Sequence, residues 1–347
     1  MTTTMERTQP RSSVRRAAPW LAGAWALTFG ALSGLALLGR IADPWAPEAA
    51  SPLGGLSGAQ MSWIVTLAAL LVLAAGVVGA VGRERVAHRR AGWLLIGVGL
   101  VVALVVSDVR ALSFLGYLPQ TLLALVGLGP AAGHLSWDVT LRSGTALAHA
   151  VGGLATVVAG VGLLERAEPD GRIDWGRWAR WGRPAVAVAV VVPLLYAVTR
   201  IAWAVGLPLG VRQEMLDELG SARWAGLGLA LFAVVGALLT WGLLARWGEI
   251  FWSWVPRVGG RPVPVAMALV PGILVAAAVT SAGLSFWRMV FAGDLWTVPG
   301  ATSDWAAWAP EMLWPLWGVA LAVACLAYLG RRTRAAELLA KSRKTLG

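Results

Sequence analysis

Four charged residues lie in or beside long apolar segments and are the first candidates for ligand binding. Arg110, Arg200 and Arg288 each stand near the end of such a segment, and Asp108 lies two positions before Arg110. A charge at the centre of a bilayer costs about 3 kcal/mol on insertion scales, and less towards the ends of a span. One interpretation is a polar pocket between helices, in which Arg110 and Arg200 face an anionic ligand or a lipid headgroup.

The alternative interpretation of these arginines is structural. A long arginine side chain can extend to the headgroups, or it can pair with an acid in a neighbouring loop. The loop acids available for such pairs are Asp217, Glu218 and Asp294. Asp108 can pair with a neighbouring arginine in the same way.

His149 is a polar residue inside an apolar segment, and the only cysteine is Cys325. A haem with two axial ligands needs a second histidine at membrane depth, and the sequence has none there. We therefore interpret His149 as a hydrogen-bonded packing residue rather than a ligand or proton relay. No helix carries His, Cys or carboxylate pairs at metal-ligand spacing. The sequence predicts no catalytic residue, no metal site and no cofactor.

Tryptophan is abundant, with 21 residues, and most lie near the ends of apolar segments. Trp175, Trp178 and Trp181 are spaced by three and alternate with arginines. This pattern predicts a short amphipathic helix on the membrane surface, with its arginines towards anionic lipid. Trp252 and Trp254 are predicted to anchor a second loop at the interface.

The amino-acid composition indicates that lipid, rather than water, surrounds most of the chain. Of its 347 residues, 58% are hydrophobic and 14% are charged, with a mean hydropathy of +0.69. Soluble domains carry about 25% charged residues, so lipid must surround much of this protein. The net charge of +11 is not concentrated in a domain of soluble type. We therefore predict membrane lipids, and not nucleic acid, as partners.

Apolar windows of about 20 residues predict a bundle of eight membrane helices. They lie near 19–39, 61–82, 92–116, 143–164, 184–207, 223–245, 264–287 and 311–330. The region 92–129 also allows one span plus a re-entrant segment. A second full span there would reverse every later loop and abolish the alternation of charge.

The orientation follows from the basic residues. With eight spans, 22 of the 29 Lys and Arg residues fall on the side of both termini, and seven fall on the other side. Basic loops remain in the cytoplasm. The prediction is a multi-pass protein of the bacterial plasma membrane with both termini cytoplasmic.

Two short matches indicate an internal duplication. The segment 25–28 (WALT) resembles 196–199 (YAVT), and 111–114 (ALSF) resembles 283–286 (GLSF), at offsets of 171 and 172. Each half is then a four-helix unit, and an even number of spans keeps the two units parallel. The predicted organisation is a tail 1–18, a first unit 19–164, an amphipathic linker 165–183, a second unit 184–330 and a tail 331–347.

Several loop motifs resemble a bacterial group. They are 196–200 (YAVTR), 246–249 (RWGE), 254–256 (WVP) and 260–262 (GRP). Over residues 185–290 the chain is similar to uncharacterised multi-pass membrane proteins of actinobacterial type. The preference for arginine over lysine agrees with a high-GC genome. The resemblance implies a membrane location and a helical shape, and no mechanism.

Three function classes follow from these observations. The first class is a permease, or the membrane component of a transport system, whose solute is small and in one interpretation anionic. It agrees with the duplication, with the arginines near the ends of the spans, and with Pro193 and Pro271 if these prolines break two predicted spans. The alternative for the two prolines is that membrane helices simply tolerate them. A non-catalytic accessory or scaffold protein with a protein partner in the membrane agrees with the short loops. A lipid-modifying enzyme ranks third, because there is no nucleophile–base pair. The sequence does not specify an oligomeric state.

Overall fold

The computed structural model is an all-α bundle with eight helices that are long and apolar enough to cross a membrane. It describes residues 13–42, 44–45, 51–127, 136–169 and 173–345. The eight spans run over 13–37, 58–81, 85–106, 137–167, 175–204, 222–242, 265–291 and 310–336. The prediction of an all-helical polytopic membrane protein is therefore confirmed.

The α-helices are numbered in chain order. They are α1 (Ser13–Leu37), α2 (Gly58–Val81), α3 (Arg85–Val101), α4 (Val109–Leu125), α5 (Trp137–Ala167), α6 (Gly182–Ala204), α7 (Gln213–Leu219), α8 (Ala222–Gly242), α9 (Val265–Phe291) and α10 (Trp314–Thr345). Consecutive spans alternate in direction. We call the end of the bundle that carries segments 38–42, 51–57 and 292–309 the loop face, and the opposite end the tail face.

Local capping fixes where two spans begin at the loop face. At α2, the Ser57 hydroxyl accepts a hydrogen bond from the Gln60 backbone N–H, and the Gln60 side chain accepts one from the Ser57 N–H, at 2.8 Å. At α5, the Ser136 hydroxyl accepts from the Val139 N–H. These contacts satisfy N–H groups that a helix leaves unpaired at its start.

Glycines allow α3 and α5 to approach closely. A Cβ atom on Gly153 would lie 2.6 Å from the carbonyl oxygen of Gly99, and one on Gly160 would lie 2.6 Å from that of Gly92. Because lipid offers no hydrophobic drive for helix association, such small residues supply close van der Waals contact instead. The α3–α5 pair is one of the most extensively packed pairs in the bundle.

The third span differs from the prediction of a helix over 92–116. It begins at Arg85, passes into a π-helical turn over Val102–Val106 and ends there. Ser107 has extended backbone, and a separate helix, α4, begins at Val109. The Asp108 side chain accepts a hydrogen bond from the backbone N–H of Arg110 at 2.9 Å, as an N-terminal capping residue does. A discontinuous helix therefore replaces the single straight one.

The proline-containing spans of the second half are continuous. Helix α6 runs through Pro193, and α9 runs through Pro271. Each proline stays inside one helix, so neither position breaks its span, and the structure agrees with the alternative that membrane helices tolerate proline. Neighbouring helices can satisfy the carbonyl that a proline leaves free. The break in the bundle lies instead at Ser107–Asp108, where the sequence has neither proline nor glycine.

Among the described residues, two large apolar clusters form most of the interior. One joins α1, α2, α3 and α5, and the other joins α6, α9 and α10. The pairs α1–α2, α3–α5 and α1–α5 in the first half have counterparts in α6–α8, α9–α10 and α6–α10. Trp25 contacts a ring on α5, and Tyr196, its partner in the proposed duplication, contacts a ring on α10. The duplication and its domain boundaries stay predictions, with which this packing is compatible.

Candidate functional site

A cavity of about 310 Å³ lies between α2, α4, α5 and the segment around Trp45. Its rim at the loop face carries Asp138 and Arg142 from the first turns of α5. Its inner end is formed by Asp108, Arg110 and His149. His149 follows Trp137, the first residue of α5, by twelve positions, which is about 18 Å along a helix. The cavity therefore reaches from the loop face to about the middle of a span.

Asp108 and Arg110 form an ion pair at the helix break. The Arg110 Nε lies 3.0 Å from each carboxylate oxygen, and Nη2 lies 2.5 Å from Oδ2. The Asp108 side chain is 3% exposed and that of Arg110 is 20% exposed. The carboxylate thus caps α4 and neutralises the arginine, while part of the guanidinium faces the cavity.

The break itself is held by hydrogen bonds to two other helices, α5 and α9. The Ser107 hydroxyl donates to the carbonyl oxygen of Ala146 on α5 at 3.0 Å. The Ser281 hydroxyl on α9 donates to the carbonyl oxygen of Ser107 at 2.8 Å. Non-helical backbone at membrane depth is tolerated where protein buries it or where it lines a cavity. Both conditions hold here, and Ser281 joins the break to the second half of the bundle.

The rim of the cavity holds a second ion pair. The Arg142 Nε lies 3.0 and 2.9 Å from the two oxygens of Asp138, one helical turn earlier. The Arg142 and Asp138 side chains are 50% and 71% exposed. Exposed pairs of this kind contribute little to stability. Separating the two side chains therefore costs little free energy.

His149 is enclosed by aromatic rings at the inner end. The Trp25 Nε1–H donates to its Nδ1 at 3.1 Å, and the rings of Phe29 and Trp45 lie 4.6 and 5.4 Å from the imidazole, centroid to centroid. Because Nδ1 accepts a hydrogen bond, the neutral ring carries its proton on Nε2. His149 is 4% exposed and lines the cavity.

Arg200 lies in a different place and does not line the cavity. Its Nη2 lies 2.5 Å from Glu311 Oε1, and its Nη1 donates to the carbonyl oxygen of Ala306 at 2.9 Å. The guanidinium lies 4.5 Å from the ring centroid of Tyr196 and 4.2 Å from that of Trp203. The structure therefore does not bring Arg200 together with Arg110 into one pocket. Glu311 is not among the loop acids that were considered from the sequence as partners of the arginines.

Arg288 also has partners outside the cavity. It pairs with Asp294 at 2.8 Å and donates to the carbonyl oxygen of Gly54 at 3.3 Å. The first contact is one of the loop-acid pairs considered from the sequence. The second joins α9 to the segment before α2. Of the four charged candidates, Asp108 and Arg110 are thus together, and Arg200 and Arg288 each stand apart.

A further pair, Arg212 and Asp304, fixes the connection before α10. The Arg212 Nη2 lies 2.8 Å from Asp304 Oδ2, and its backbone N–H donates to Oδ1 at 2.7 Å. These hydrogen bonds from Arg212 hold the pKa of the Asp304 carboxyl below its ordinary value. Nothing in the local sequence of either residue indicates this pairing, because 92 positions separate them.

The tryptophan segments lie on the tail face. Trp175–Trp181 forms a 3-10 helix, rather than an α-helix, that packs on α10 and α6. With three residues per turn, tryptophans spaced by three fall on one stripe. Trp252 and Trp254, in the loop between α8 and α9, are 51% and 73% exposed. Their predicted role as membrane anchors stays a prediction.

Within the described part of the chain, no group of three His, Cys, Asp or Glu residues is placed to hold a metal ion. Cys325 is buried in the second apolar cluster. Comparisons with protein-family models, with curated proteins and with solved structures find no match for this chain. The geometry of the cavity is therefore the basis for any functional assignment.

Proposed function

We propose that the protein is a permease, or the membrane component of a transport system, for a small polar solute. The observation that carries the proposal is the cavity that reaches the discontinuous helix at Ser107–Asp108 in the interior of the bundle. Transporters often bind their solutes near the middle of the membrane, where an interrupted helix supplies polar groups. An ion pair at that depth is costly, and it is typical of functional sites.

The lining indicates what kind of solute would fit. A volume of about 310 Å³ is at the lower end of the range for small-molecule sites. Two arginines and two aspartates balance each other, and His149 offers an Nε2–H donor at the inner end. A small solute with hydrogen-bonding groups and little net charge fits this lining best. An anionic solute would have to compete with Asp108 and Asp138 for the arginines.

The proposed location is the bacterial plasma membrane, with the tail face in the cytoplasm. The distribution of basic residues supports this orientation. The cavity would then open to the outside, where a solute enters first.

A cavity-filling variant tests the proposal without removing a charge. We expect Thr145→Trp, on the cavity wall, to reduce solute entry to the rate of protein-free vesicles. The bulky ring would occupy the space that the solute needs. The measurement is osmotic swelling of vesicles that contain the purified protein, with a panel of neutral, zwitterionic, anionic and cationic solutes.

Gly144→Trp is the matched control for this experiment. Gly144 is adjacent to Thr145 at nearly the same depth, does not line the cavity, and has open space around its Cβ position, since a Cβ atom there would meet no atom within 4 Å. The control should therefore retain the swelling rate of the wild type. If neither wild type nor control lets any solute enter faster than protein-free vesicles do, the protein is not a permease on its own.

An accessory or scaffold function is the second candidate, and one surface favours it. Helix α8 packs mainly on α6, and its remaining surface is apolar and exposed in the monomer. The exposed side chains include Leu231, Phe232, Val235, Leu238 and Leu239. Native mass spectrometry from mild detergent separates the candidates. A stoichiometric protein partner would favour the accessory function, whereas a lone protein that carries a small solute would favour the permease.

A further inference from the structure

The loop between α8 and α9, residues 243–264, is a firmly held structure on the tail face. Ile250 and Pro262 form a β-bridge, and the Val263 N–H donates to the carbonyl oxygen of Glu249 at 2.9 Å. Helix α10 also holds the loop in place, because the Tyr328 hydroxyl donates a hydrogen bond to the Gly248 carbonyl oxygen at 2.8 Å. A loop fixed by contacts of this kind can present side chains in a constant geometry.

An aromatic surface covers one side of this loop. The ring centroids of Trp247 and Trp252 lie 5.8 Å apart, and those of Trp252 and Trp254 lie 5.5 Å apart with 19° between the planes. A cavity of about 410 Å³ lies beside these rings, with Arg246 and Ser253 in its lining. The site therefore combines an apolar wall with a cation and a hydroxyl group.

The arginines of this loop are not neutralised within the described part of the chain. Arg246, Arg257 and Arg261 are exposed, and none of them forms an ion pair with a described residue. The only loop carboxylate is Glu249, which lies 3.9 Å from Arg331. On the loop face, by contrast, five arginines have carboxylate partners: Arg110, Arg142, Arg200, Arg212 and Arg288.

We propose that this loop binds the phosphate headgroup of an anionic phospholipid, with Arg246 and Ser253 at the phosphate and the tryptophans along the acyl chains. The loop joins the ends of two spans, so it lies at headgroup level. Tryptophan prefers this depth, and arginine binds phosphate with several N–H donors at once. A free phosphate ion has no chains to cover the exposed rings, and the lipid therefore fits better. The proposal does not depend on the permease function, because the cavity lined by Asp108, Arg110 and His149 opens on the opposite face of the bundle.

The test uses the full chain in nanodiscs of phosphatidylglycerol and phosphatidylcholine in equal amounts, followed by native mass spectrometry of the lipids retained. The variant carries Arg246→Gln, Arg257→Gln and Arg261→Gln. The matched control carries Arg83→Gln, Arg85→Gln and Arg90→Gln, which removes three exposed arginines from another part of the same face. Elution as a single symmetric peak shows that each variant is folded.

The loop variant is expected to lose its preference for phosphatidylglycerol, by about fivefold for each arginine that contributes. The control is expected to keep the preference of the wild type. An equal loss in both variants would overturn the proposal, because it would indicate general attraction to a basic face. The proposal would also be overturned if the loop variant kept the wild-type preference for phosphatidylglycerol, or if inorganic phosphate displaced the lipid completely.

Discussion

Replacing Glu311 with alanine is expected to destabilise the protein by about 3–5 kcal/mol, the range for breaking one partner out of a buried ion pair. The Arg200 and Glu311 side chains are 10% and 4% exposed. Without the carboxylate, the guanidinium would remain enclosed by Tyr196 and Trp203 with no counter-charge. The loss of stability relative to the wild type is measured by thermal unfolding in detergent, with the fraction that remains monodisperse on size-exclusion chromatography as the readout.

A double variant separates two quantities: the free-energy cost of leaving one buried charge without a partner, and the contribution of the Arg200–Glu311 ion pair to stability. Arg200→Met with Glu311→Met removes both charges and keeps apolar volume, so it should recover much of the stability that Glu311→Ala loses. Arg200→Ala should lower protein abundance, since Arg200 also holds the carbonyl oxygen of Ala306. If Glu311→Ala were as stable as the wild type, the pair would not support the bundle, and a role for Arg200 in ligand binding would regain weight.

Gly153→Val is expected to prevent normal packing of α3 on α5. A Cβ atom at this position would lie 2.5 Å from the backbone nitrogen of Ala103 and 2.6 Å from the carbonyl oxygen of Gly99. These backbone atoms cannot move away by a change of rotamer, as a flexible side chain can. The two helices would therefore have to separate. Overpacking costs about 1–3 kcal/mol in well-packed cores, and valine adds two methyl groups beyond the first carbon.

Gly162→Val is the control for this variant. Gly162 lies on the same helix, and a Cβ atom there would meet no atom within 4 Å. Expression level and elution profile should fall for Gly153→Val and stay at the wild-type level for Gly162→Val. Equal behaviour of the two variants would show that the α3–α5 contact is looser than the structure has it.

The number of membrane spans could be predicted from the sequence, because the length of an apolar segment that crosses the membrane follows from bilayer thickness. The position of the break in the third span could not, although the alternative of one span plus a re-entrant segment in 92–129 allowed for a division of this region. Apolar residues continue on both sides of Ser107–Asp108, so hydropathy alone favours a helix over 92–116. The signal that was available is Asp108 itself, because aspartate is a preferred residue at the start of a helix. Reading it as a cap would have placed α4 at Val109.

The positions of the charged candidates could be predicted only where the partners are near in sequence. Asp108 with Arg110 and Arg288 with Asp294 are separated by two and six residues. Glu311 is 111 residues from Arg200, and no periodicity in either segment connects them. The contact arises from the packing of α6 against the start of the last span, which depends on how the whole second half assembles. His149 and Trp25 are likewise 124 residues apart.

Thiol accessibility most directly tests the central claim, which is that a cavity reaches from the loop face into the bundle. Cys325 is the only cysteine in the chain, so Cys325→Ala provides a thiol-free background. Thr145→Cys would lie on the cavity wall, and Gly144→Cys would lie at the same depth outside the cavity. A hydrophilic thiol reagent needs water and a thiolate. We expect rapid modification of Thr145→Cys and slow modification of Gly144→Cys; equally slow modification of both would contradict the cavity and, with it, the proposed permease function.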